Sequence, residues 1–409
     1  MEEWKEYKLG EVCKSIADGD HMPPPKVERG IPFVTISNIK GNRLDLSDTF
    51  FVPQKYYDAL DPKKKPQIGD TIYSVVGTFG KPVYIKDNNP FVFQRHIAIL
   101  RPDASLLNPL FLYYTLLSPQ FYRKADIMAI GAVQRTISLT SLRNATVQIP
   151  PLKVQKEIAT ALKSLDDKIE VNRRINENLE QQAQALFKSW FVDFEPFKNG
   201  EFVESELGMI PKGWKVESLS SIADYINGLA MQKYRPNEGE KGLPVLKIKE
   251  LGQGSCDINS ELCSPSLIGD KYIINDGDII FSWSGTLMVK VWCGGKCGLN
   301  QHLFVVVPKN YSKWYVYQWT KYHLDNFIRI AKDKAVTMGH IKRGELDKAK
   351  VVIPDKDNLT RIDALMAPIF NQIISNEIES RRLATLRDTL LPKLMSGEIK
   401  VNEVEKEIS

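Results

Sequence analysis

The 409-residue chain lacks the features that mark several common classes of protein. It has no run of about 20 apolar residues, the length that a membrane-spanning helix needs. The N-terminal stretch MEEWKEYKLG is charged and has no apolar signal core. Five irregularly spaced cysteines are too few for the disulfide scaffold of a secreted protein. We therefore expect a cytoplasmic protein.

Motifs for catalysis are missing as well. A phosphate-binding Walker A loop needs two glycines at a fixed spacing, followed by Lys and then Ser or Thr. Two segments contain glycines and a lysine, 77–82 and 294–297, and neither has this pattern. We find no Asn-Pro-Pro-aromatic segment, which an amino-methyltransferase would carry, and no plausible carboxylate cluster of a nuclease. The sequence thus predicts no catalytic site. Four cysteines have loose spacings for zinc and are interpreted as free thiols: Cys256, Cys263, Cys293 and Cys297.

The net charge of +5 is unevenly distributed along the chain. Residues 1–150 carry +4 and residues 211–354 carry +6, whereas 151–210 carry −3 and 355–409 carry −2. Two basic blocks are consistent with two contacts to a polyanion. Differences of this size also arise by ordinary scatter, so charge alone does not decide the function.

The sequence contains an internal repeat with an offset that drifts from 212 to 204 residues. Six short segments recur in the same order, which chance does not explain. The matched pairs are Trp4-Lys5 with Trp214-Lys215, 30–32 with 242–244, 68–74 with 276–282, 77–78 with 285–286, 94–96 with 300–302, and 147–150 with 351–354. Each half has short β-like runs broken by Gly, Pro and Asn, with helical stretches such as Pro109 to Ala125 and Tyr315 to Ala331.

A long helix with heptad spacing follows each globular half. Both helices place Asn at the same seam position, Asn172 and Asn376, where a buried Asn would fix register and an outward-facing one would only be solvated. Connectivity requires the helices to run antiparallel if they pair. The predicted seam is Ile158, Leu162, Leu165, Ile169, Asn172, Leu179, Ile362, Met366, Ile369, Ile373, Asn376 and Leu383.

Several segments resemble one known family: LFKSWFVDFEPFK (186–198), GMIPKGW (208–214), GDIIFSWSGTLMV (277–289), LNQHLF (299–304) and LRDTLLPKLMSGEI (386–399). They are similar to specificity subunits of Type I restriction–modification systems. The resemblance covers essentially the whole chain. It implies two target-recognition domains, each for one half of a split DNA sequence, and two helices that set the spacing and dock two modification subunits. Adenine methylation with S-adenosylmethionine would lie on those subunits, and ATP- and Mg²⁺-dependent translocation and cleavage on restriction subunits.

Repeat and resemblance together predict an α+β fold of two pseudo-repeat α/β domains separated by two long antiparallel helices. The expected boundaries are 1–150 for the first recognition domain, 151–196 for the first helix, 197–211 for a linker, 212–354 for the second recognition domain, and 355–409 for the second helix and tail. Two other hypotheses are a scaffold without DNA binding and a stand-alone enzyme; the latter needs a catalytic constellation.

Loops rich in Arg, Lys, Asn and Gln are the expected DNA contacts, since Arg and Lys suit phosphates and guanine, and Asn and Gln suit adenine. The loops 131–137 and 337–341 precede the two helices in matching positions. His96 and His302 are interpreted as hydrogen-bonded residues at strand starts. The candidates in the first half are Lys26, Arg29, Asn38, Lys40, Asn42, Arg43, Lys81, Gln134 and Arg135, and those in the second are Asn227, Gln232, Lys233, Tyr234, Arg235, Lys247, Lys249, Lys290, His340 and Lys342.

Overall fold

The chain divides into two units, unit 1 (residues 1–167 and 384–409) and unit 2 (residues 168–383). A computed structural model describes residues 4–21, 24–333 and 339–403. Thr337, predicted to lie in a pre-helix loop, and the tail from 404 to 409 are outside the described residues. Among the helices of the described part, none combines the length and apolarity needed to cross a membrane.

Unit 1 contains two sheets and two strand pairs. An antiparallel four-stranded sheet has the order β2-β10-β7-β8, and a three-stranded sheet has the order β6-β3-β9 with β3 and β9 parallel. The strand pairs are β1-β11 and β4-β5. The strands are β1 (Lys5–Lys8), β2 (Cys13–Asp18), β3 (Ile31–Val34), β4 (Ile39–Lys40), β5 (Arg43–Leu44), β6 (Phe50–Val52), β7 (Thr71–Ser74), β8 (Pro82–Tyr84), β9 (Val92–Phe93), β10 (Ile97–Pro102) and β11 (Thr146–Ile149). The helices are α1 (Leu9–Val12), α2 (Gln54–Asp58), α3 (Pro109–Leu117), α4 (Pro119–Met128) and α5 (Leu139–Asn144).

The long helix α6 (Leu152–Phe191) contributes to both units. Unit 2 then continues with β12 (Phe202–Ser205), β13 (Gly208–Pro211), β14 (Lys215–Ser218), β15 (Ala223–Asn227), β16 (Leu243–Leu246), β17 (Leu262–Cys263), β18 (Ile273–Ile274), β19 (Asp278–Ser282), β20 (Met288–Trp292), β21 (Cys297–Leu299), β22 (Leu303–Pro308) and β23 (Lys350–Ile353). Its short helices are α7 (Leu219–Ile222), α8 (Ile248–Gln253), α9 (Lys313–Tyr322), α10 (Leu324–Asp333) and α11 (Gly344–Lys348). The second long helix, α12 (Lys356–Ser396), again contributes to both units.

The sheet topology of unit 2 repeats that of unit 1. Its antiparallel sheet β15-β22-β19-β20 corresponds to β2-β10-β7-β8, and its pair β14-β23 corresponds to β1-β11. The second sheet, β17-β16-β21-β18, again has one parallel pair, β16 with β21. This repeat in topology confirms the two α/β pseudo-repeats that the sequence predicts.

Polar caps and prolines explain where the helices of unit 1 begin. Asn108 accepts from the backbone N–H of Phe111 at 3.1 Å, with Pro109 in the first turn of α3. Ser118 caps α4 in the same way and divides the single predicted helical stretch into two. At the start of α6, the buried Gln155 side chain accepts from Asn108 N and donates to the carbonyl of Pro150. These bonds fix the start of the long helix onto the globular part of unit 1.

The predicted seam residues lie on the packed side of the long helices. In unit 1, Ile158, Leu162 and Leu165 of the first part of α6 are buried. In unit 2, Ile362, Met366, Asn172 and Asn376 are buried, and the remaining members are half-buried: Ile169, Leu179, Ile369, Ile373 and Leu383.

Hydrogen bonds within unit 2 give the direction of the helix pair. Asn172 donates to Glu379 and Ser380, whereas Asn176, one turn later, donates to the carbonyl of Ile373. The partner number falls as the residue number rises, so α6 and α12 run antiparallel in unit 2, as predicted.

The segment predicted as a linker, 197–211, is more structured than the sequence indicates. Strands β12 and β13 pair through it as an antiparallel hairpin, with Phe202 opposite Pro211. Gly208 begins β13 directly after the turn of this hairpin and has φ of +88°, a conformation that glycine adopts readily. Ile210 on this hairpin is buried in the core of unit 2.

Candidate nucleic-acid interface

Three loops lie together at one end of the strands of the four-stranded sheet in unit 1: residues 75–81, 94–96 and 129–137. We call them the unit 1 loop cluster. Backbone hydrogen bonds join them. Val75 N–H donates to His96 O at 2.9 Å, Ile137 N–H to Val75 O at 2.8 Å, and Gly77 N–H to Arg135 O at 2.9 Å. Because these bonds do not depend on side chains, the cluster keeps one backbone shape whatever residues it displays.

Unit 2 builds the same arrangement from residues 283–288, 300–302 and 339–342, the unit 2 loop cluster. Ile341 N–H donates to Trp283 O at 3.2 Å, and Gly285 N–H donates to Gly339 O at 3.0 Å. These bonds are the counterparts of Ile137 to Val75 and of Gly77 to Arg135. The pairing therefore equates Val75 with Trp283, Arg135 with Gly339, and the bridged pair Val76–Thr136 with Ser284–His340.

A close backbone approach supports both clusters. Gly19 N–H donates to Ile97 O and Gly228 N–H donates to Leu303 O, at 3.1 and 3.0 Å. A Cβ atom on Gly19 would lie 2.0 Å from Phe93 O, and one on Gly228 would lie 2.2 Å from Asn300 O. Only glycine fits at these two equivalent positions without moving the backbone.

The unit 1 cluster includes basic and polar side chains. Lys81 is half-buried and Gln134 is exposed. The Arg135 guanidinium pairs with Asp126 and lies 5.2 Å from the centre of the Phe79 ring, which stacks on Tyr122. These contacts hold Arg135 at the surface while leaving part of it open to a further partner. The structure thus brings together the predicted residues Lys81, Gln134 and Arg135.

Side chains of the unit 2 cluster are aromatic and imidazole groups instead. Trp283 stacks on Phe304 with ring centres 5.6 Å apart, and its indole N–H donates to Asn227 Oδ1 at 2.9 Å. His302 and His340 each lie 6.3 Å from the Trp283 ring. The predicted residues Asn227 and His340 therefore meet through Trp283, and Lys342 is exposed two residues beyond His340.

The two histidines at equivalent places have different surroundings. His302 Nδ1 is 3.1 Å from Ser284 Oγ. Burial, followed by the positive charge of Arg95, lowers the pKa of His96. A lowered pKa favours the neutral ring, so His96 adds no charge to its cluster near neutral pH.

One predicted DNA contact in unit 1 is corrected by the structure. Asn38 is buried, and its side chain accepts from Thr35 N–H and donates to the carbonyl of Asp45. Its amide closes the turn between β3 and β4 and does not reach the surface. The sequence shows Asn38 only as a polar residue in a loop. It does not show that its side chain is hydrogen-bonded inside the protein.

Five further candidates of unit 1 lie outside its loop cluster. The β4–β5 hairpin carries Lys40, Asn42 and Arg43; Lys40 pairs with Asp45, and Asn42 has φ of +59° in the two-residue turn. Asn is favoured in such turns, which explains this residue without DNA. Lys26 lies 4.6 Å from the centre of the Phe50 ring, and Arg29 is exposed before β3.

Most of the other candidates in unit 2 have acidic or carbonyl partners. Arg235 and Lys247 share Glu261, Lys249 pairs with Asp257, and Lys290 donates to Gly252 O. Burial lowers the pKa of Lys290. Gln232 and Lys233 are exposed in the 3-10 turn Met231–Lys233, and Tyr234 is half-buried after it. In the described part of the chain, the side chains of Gln232, Lys233 and Tyr234 form neither an ion pair nor a hydrogen bond.

Sequence reasoning missed Trp283 and Val133. Trp283 organises the unit 2 cluster, and Val133 is fully exposed in the unit 1 cluster. The signal for Trp283 was present, because it directly follows the repeated segment 276–282 where unit 1 has Val75. An apolar side chain in a surface loop has no comparable signal in one sequence.

Three of the four cysteines of unit 2, Cys263, Cys293 and Cys297, are buried. Burial raises the pKa of Cys293 to about 12, and that of Cys263 to about 11. Over the residues that the structure describes, no group of three or more His, Cys, Asp or Glu is placed to hold a metal ion.

Comparison with protein families gives two matches in this chain. Residues 1–181 and 211–387 match the Type I restriction modification DNA specificity domain. These stretches cover well over half of the chain, which therefore belongs to that family. The matches fall one on each pseudo-repeat, so the chain carries two DNA specificity domains, as fits a bipartite target.

Similar proteins agree with this assignment. The chain is 31% identical over 326 residues to the Type I restriction enzyme MjaIX specificity subunit of Methanocaldococcus jannaschii, covering 77% of this chain and 74% of the relative. It is 24% identical over 477 residues to the HindI specificity subunit of Haemophilus influenzae, covering 98% and 100%. The crystal structure of a Type I restriction-modification S subunit from M. genitalium has the same fold, with a TM-score of 0.53, 15% identity and 96% of both chains covered. The predicted specificity subunit, a DNA-binding and non-catalytic protein, is confirmed.

Proposed function

We propose that each loop cluster contacts one half of a bipartite DNA target. The observation that supports this most is the repeated backbone with different side chains. Unit 1 displays Lys81, Gln134 and Arg135 on it, and unit 2 displays Trp283 and His340. Two readers of different sequences need a common shape to meet the duplex and different side chains to distinguish bases.

Within each unit, roles are assigned by chemistry. Gln134 and Asn227 carry amides that match the hydrogen-bonding edge of adenine. Lys81 and Lys342 are point charges suited to phosphates, and Arg135 can serve either role. Outside the clusters, Lys26, Arg29, Gln232 and Lys233 have side chains at the surface and are proposed as outer phosphate contacts.

The long helices have a second role in this proposal. They set the distance between the half-sites and dock two modification subunits, which would methylate adenine with S-adenosylmethionine. Restriction subunits would use ATP and Mg²⁺. The cytoplasm is the proposed place of action. The spacing role of the helices is supported by α6 and α12, because each of them contributes to both units and therefore connects the two proposed readers.

Methylation mapping tests the division into two readers. Residues 1–150 are replaced by the equivalent region of a relative, and the variant is assembled with modification subunits. We expect methylated adenines to show a new sequence in one half of the target only. Changes in both halves would contradict two separate readers.

Point variants test the loop clusters. DNA binding by the same assembly is measured at several salt concentrations and with changed half-sites. Lys81→Ala and Lys342→Ala should weaken binding to all sequences alike and lower the slope of log affinity against log salt by about one. Gln134→Ala should relax one base position, at a cost of about 1–3 kcal/mol. Lys212→Ala removes an exposed cation directly after the β12–β13 hairpin; it is the matched control and should change neither the salt slope nor the base preference. Salt-independent binding would support a scaffold instead.

A further inference from the structure

Exposed aliphatic side chains stand out in the unit 1 loop cluster and at the end of α4, the helix before it. Val133 is fully exposed (101% of its reference area), and Ile127 and Ile130 are 83% and 71% exposed. Exposing aliphatic side chains to water costs free energy, and a partner that covers them removes that cost. The mechanism proposed above assigns no role to them.

The backbone presents Val133 in a fixed place. Ile130 and Thr136 exchange both backbone hydrogen bonds, at 3.0 and 2.8 Å, which closes a five-residue loop between them. Gly131 has φ of +108°, and a Cβ atom there would lie 2.7 Å from Gln134 O. Thr136 is bridged to Val76 of the neighbouring turn. Val133 therefore stands at the end of an anchored loop, and its branched side chain has few rotamers to lose on binding.

The surroundings of Val133 favour DNA over protein as the partner. Gln134 and Arg135 follow it directly, and Lys81 lies in the turn hydrogen-bonded to this loop. The nearby Asp126 is paired with Arg135. Three exposed aliphatic side chains beside basic and amide groups are far fewer than the roughly 20–30 residues that each partner contributes to a stable protein interface. The charge is complementary to a phosphate backbone.

Thymine supplies the one apolar group on a base edge of the major groove, its C5 methyl group, and small aliphatic side chains contact it. The amide of glutamine fits the adenine edge. We propose that Val133 contacts a thymine methyl group in the half-site of unit 1, next to an adenine contacted by Gln134. This inference rests on the proposed function, in which unit 1 binds that half-site.

Uracil substitution in DNA removes the methyl group and leaves every hydrogen-bonding group in place. The half-site of unit 1 is first identified by the 1–150 exchange. Each thymine in it is then replaced by uracil in turn, and binding by the full chain assembled with modification subunits is measured. At one position, uracil should weaken binding about fourfold, the effect of one buried methyl group. Val133→Ala should weaken binding to thymine DNA and lose this preference for thymine at that position.

Two controls separate the contact from other effects. Ile258→Ala removes an equally exposed aliphatic side chain from a loop of unit 2, 99% exposed, and should keep the thymine preference of the unchanged chain. Val133→Thr keeps the shape and should retain at least part of it. Assembly with modification subunits, measured by light scattering, should be the same for all variants.

Specific results would overturn the inference. A thymine preference that is equal in the unchanged chain and in Val133→Ala would exclude the contact, as would no uracil effect anywhere in the half-site. Loss of assembly in Val133→Ala would show a protein partner in place of DNA. If the 1–150 exchange itself left both half-sites unchanged, the proposed function would fail before this question arose.

Discussion

Asn376 Nδ2 donates to Asn176 Oδ1 at 2.8 Å inside the helix pair of unit 2, where both residues are 5% exposed. Asn176 donates in turn to the carbonyl of Ile373 and to Glu377, and Asn376 Oδ1 accepts from Gln372. Amides are costly to bury unless they are paired. This arrangement satisfies them at one stagger of the two helices, and we propose that it fixes their register.

Removing one member of the pair should destabilise unit 2. Asn376→Leu leaves Asn176 Oδ1 buried without its donor, which costs about 1–3 kcal/mol. The double variant Asn176→Leu with Asn376→Leu should recover much of that loss, because neither amide of the pair is left buried without the other. Asn371→Leu, at an exposed position of α12, is the control. Denaturant unfolding of the unchanged chain, the single variants Asn176→Leu and Asn376→Leu, and the double variant gives the coupling energy; purely additive losses would refute the pairing.

The sequence predicted the seam but not this pair. Heptad spacing places Asn172 and Asn376 at equivalent seam positions, yet Asn376 bonds Asn176 through its side chain, while Asn172 bonds Glu379. Periodicity within one helix determines which face is buried. The stagger between antiparallel helices depends on how the side chains of the two helices pack together, which the spacing within one helix does not contain.

The shared glycine of the loop clusters gives a second prediction. Gly228→Ala places a Cβ within 2.2 Å of Asn300 O and 2.3 Å of Leu299 O, both backbone atoms that cannot rotate away. Unit 2 should lose several kcal/mol, or the 300–302 loop should shift and binding to one half-site should fail. Gly269→Ala meets no atom within 4 Å and should be nearly neutral. Thermal unfolding and methylation mapping of both variants provide the test, and equal behaviour would refute the close approach.

We expect His323 to make the stability of unit 2 depend on pH in the mildly acidic range. Burial lowers the pKa of His323, while its bond to Lys350 O opposes this, with Nε2 and the carbonyl oxygen 2.8 Å apart. Since its folded pKa lies below the unfolded value of about 6.5, the unfolded chain binds the proton more readily. The stability that neutral His323 contributes is thus complete above that value and is lost as the pH falls towards the folded pKa.

We therefore expect the unfolding temperature of unit 2 to decrease as the pH is lowered from 7.5 to 5.5. His323→Gln keeps a donor for Lys350 O but does not titrate, so its midpoint should fall less over the same range. Differential scanning calorimetry at several pH values compares the two chains. An identical pH dependence would assign the effect to other groups.

Surface chemistry was harder to predict than fold. The repeat located both units, because buried strands and turns constrain residue type at many positions. It did not separate Asn38, whose amide closes a turn, from Gln134, which is exposed. Both are amides in loops, and only the three-dimensional closure of the turn distinguishes them. Arg235, Lys247 and Lys249 pair with carboxylates that lie 8 or more residues away in sequence, so composition could not show their partners.

Helix length provides the last prediction. The units meet within α6 between Asp167 and Lys168, and within α12 between Leu383 and Ala384. Four residues inserted at both points add about 6 Å and rotate each helix by about 40°, and they leave the contacts inside each unit unchanged. Because DNA rises about 3.4 Å per base pair, the spacer between half-sites should lengthen by one or two pairs while both half-sites keep their sequences. Two residues inserted at both points add about 3 Å but rotate the helices by about 200°, which should abolish methylation. Mapping methylated adenines for both variants is the measurement. A four-residue variant that is fully active on the original spacer would show that the helices do not set the distance.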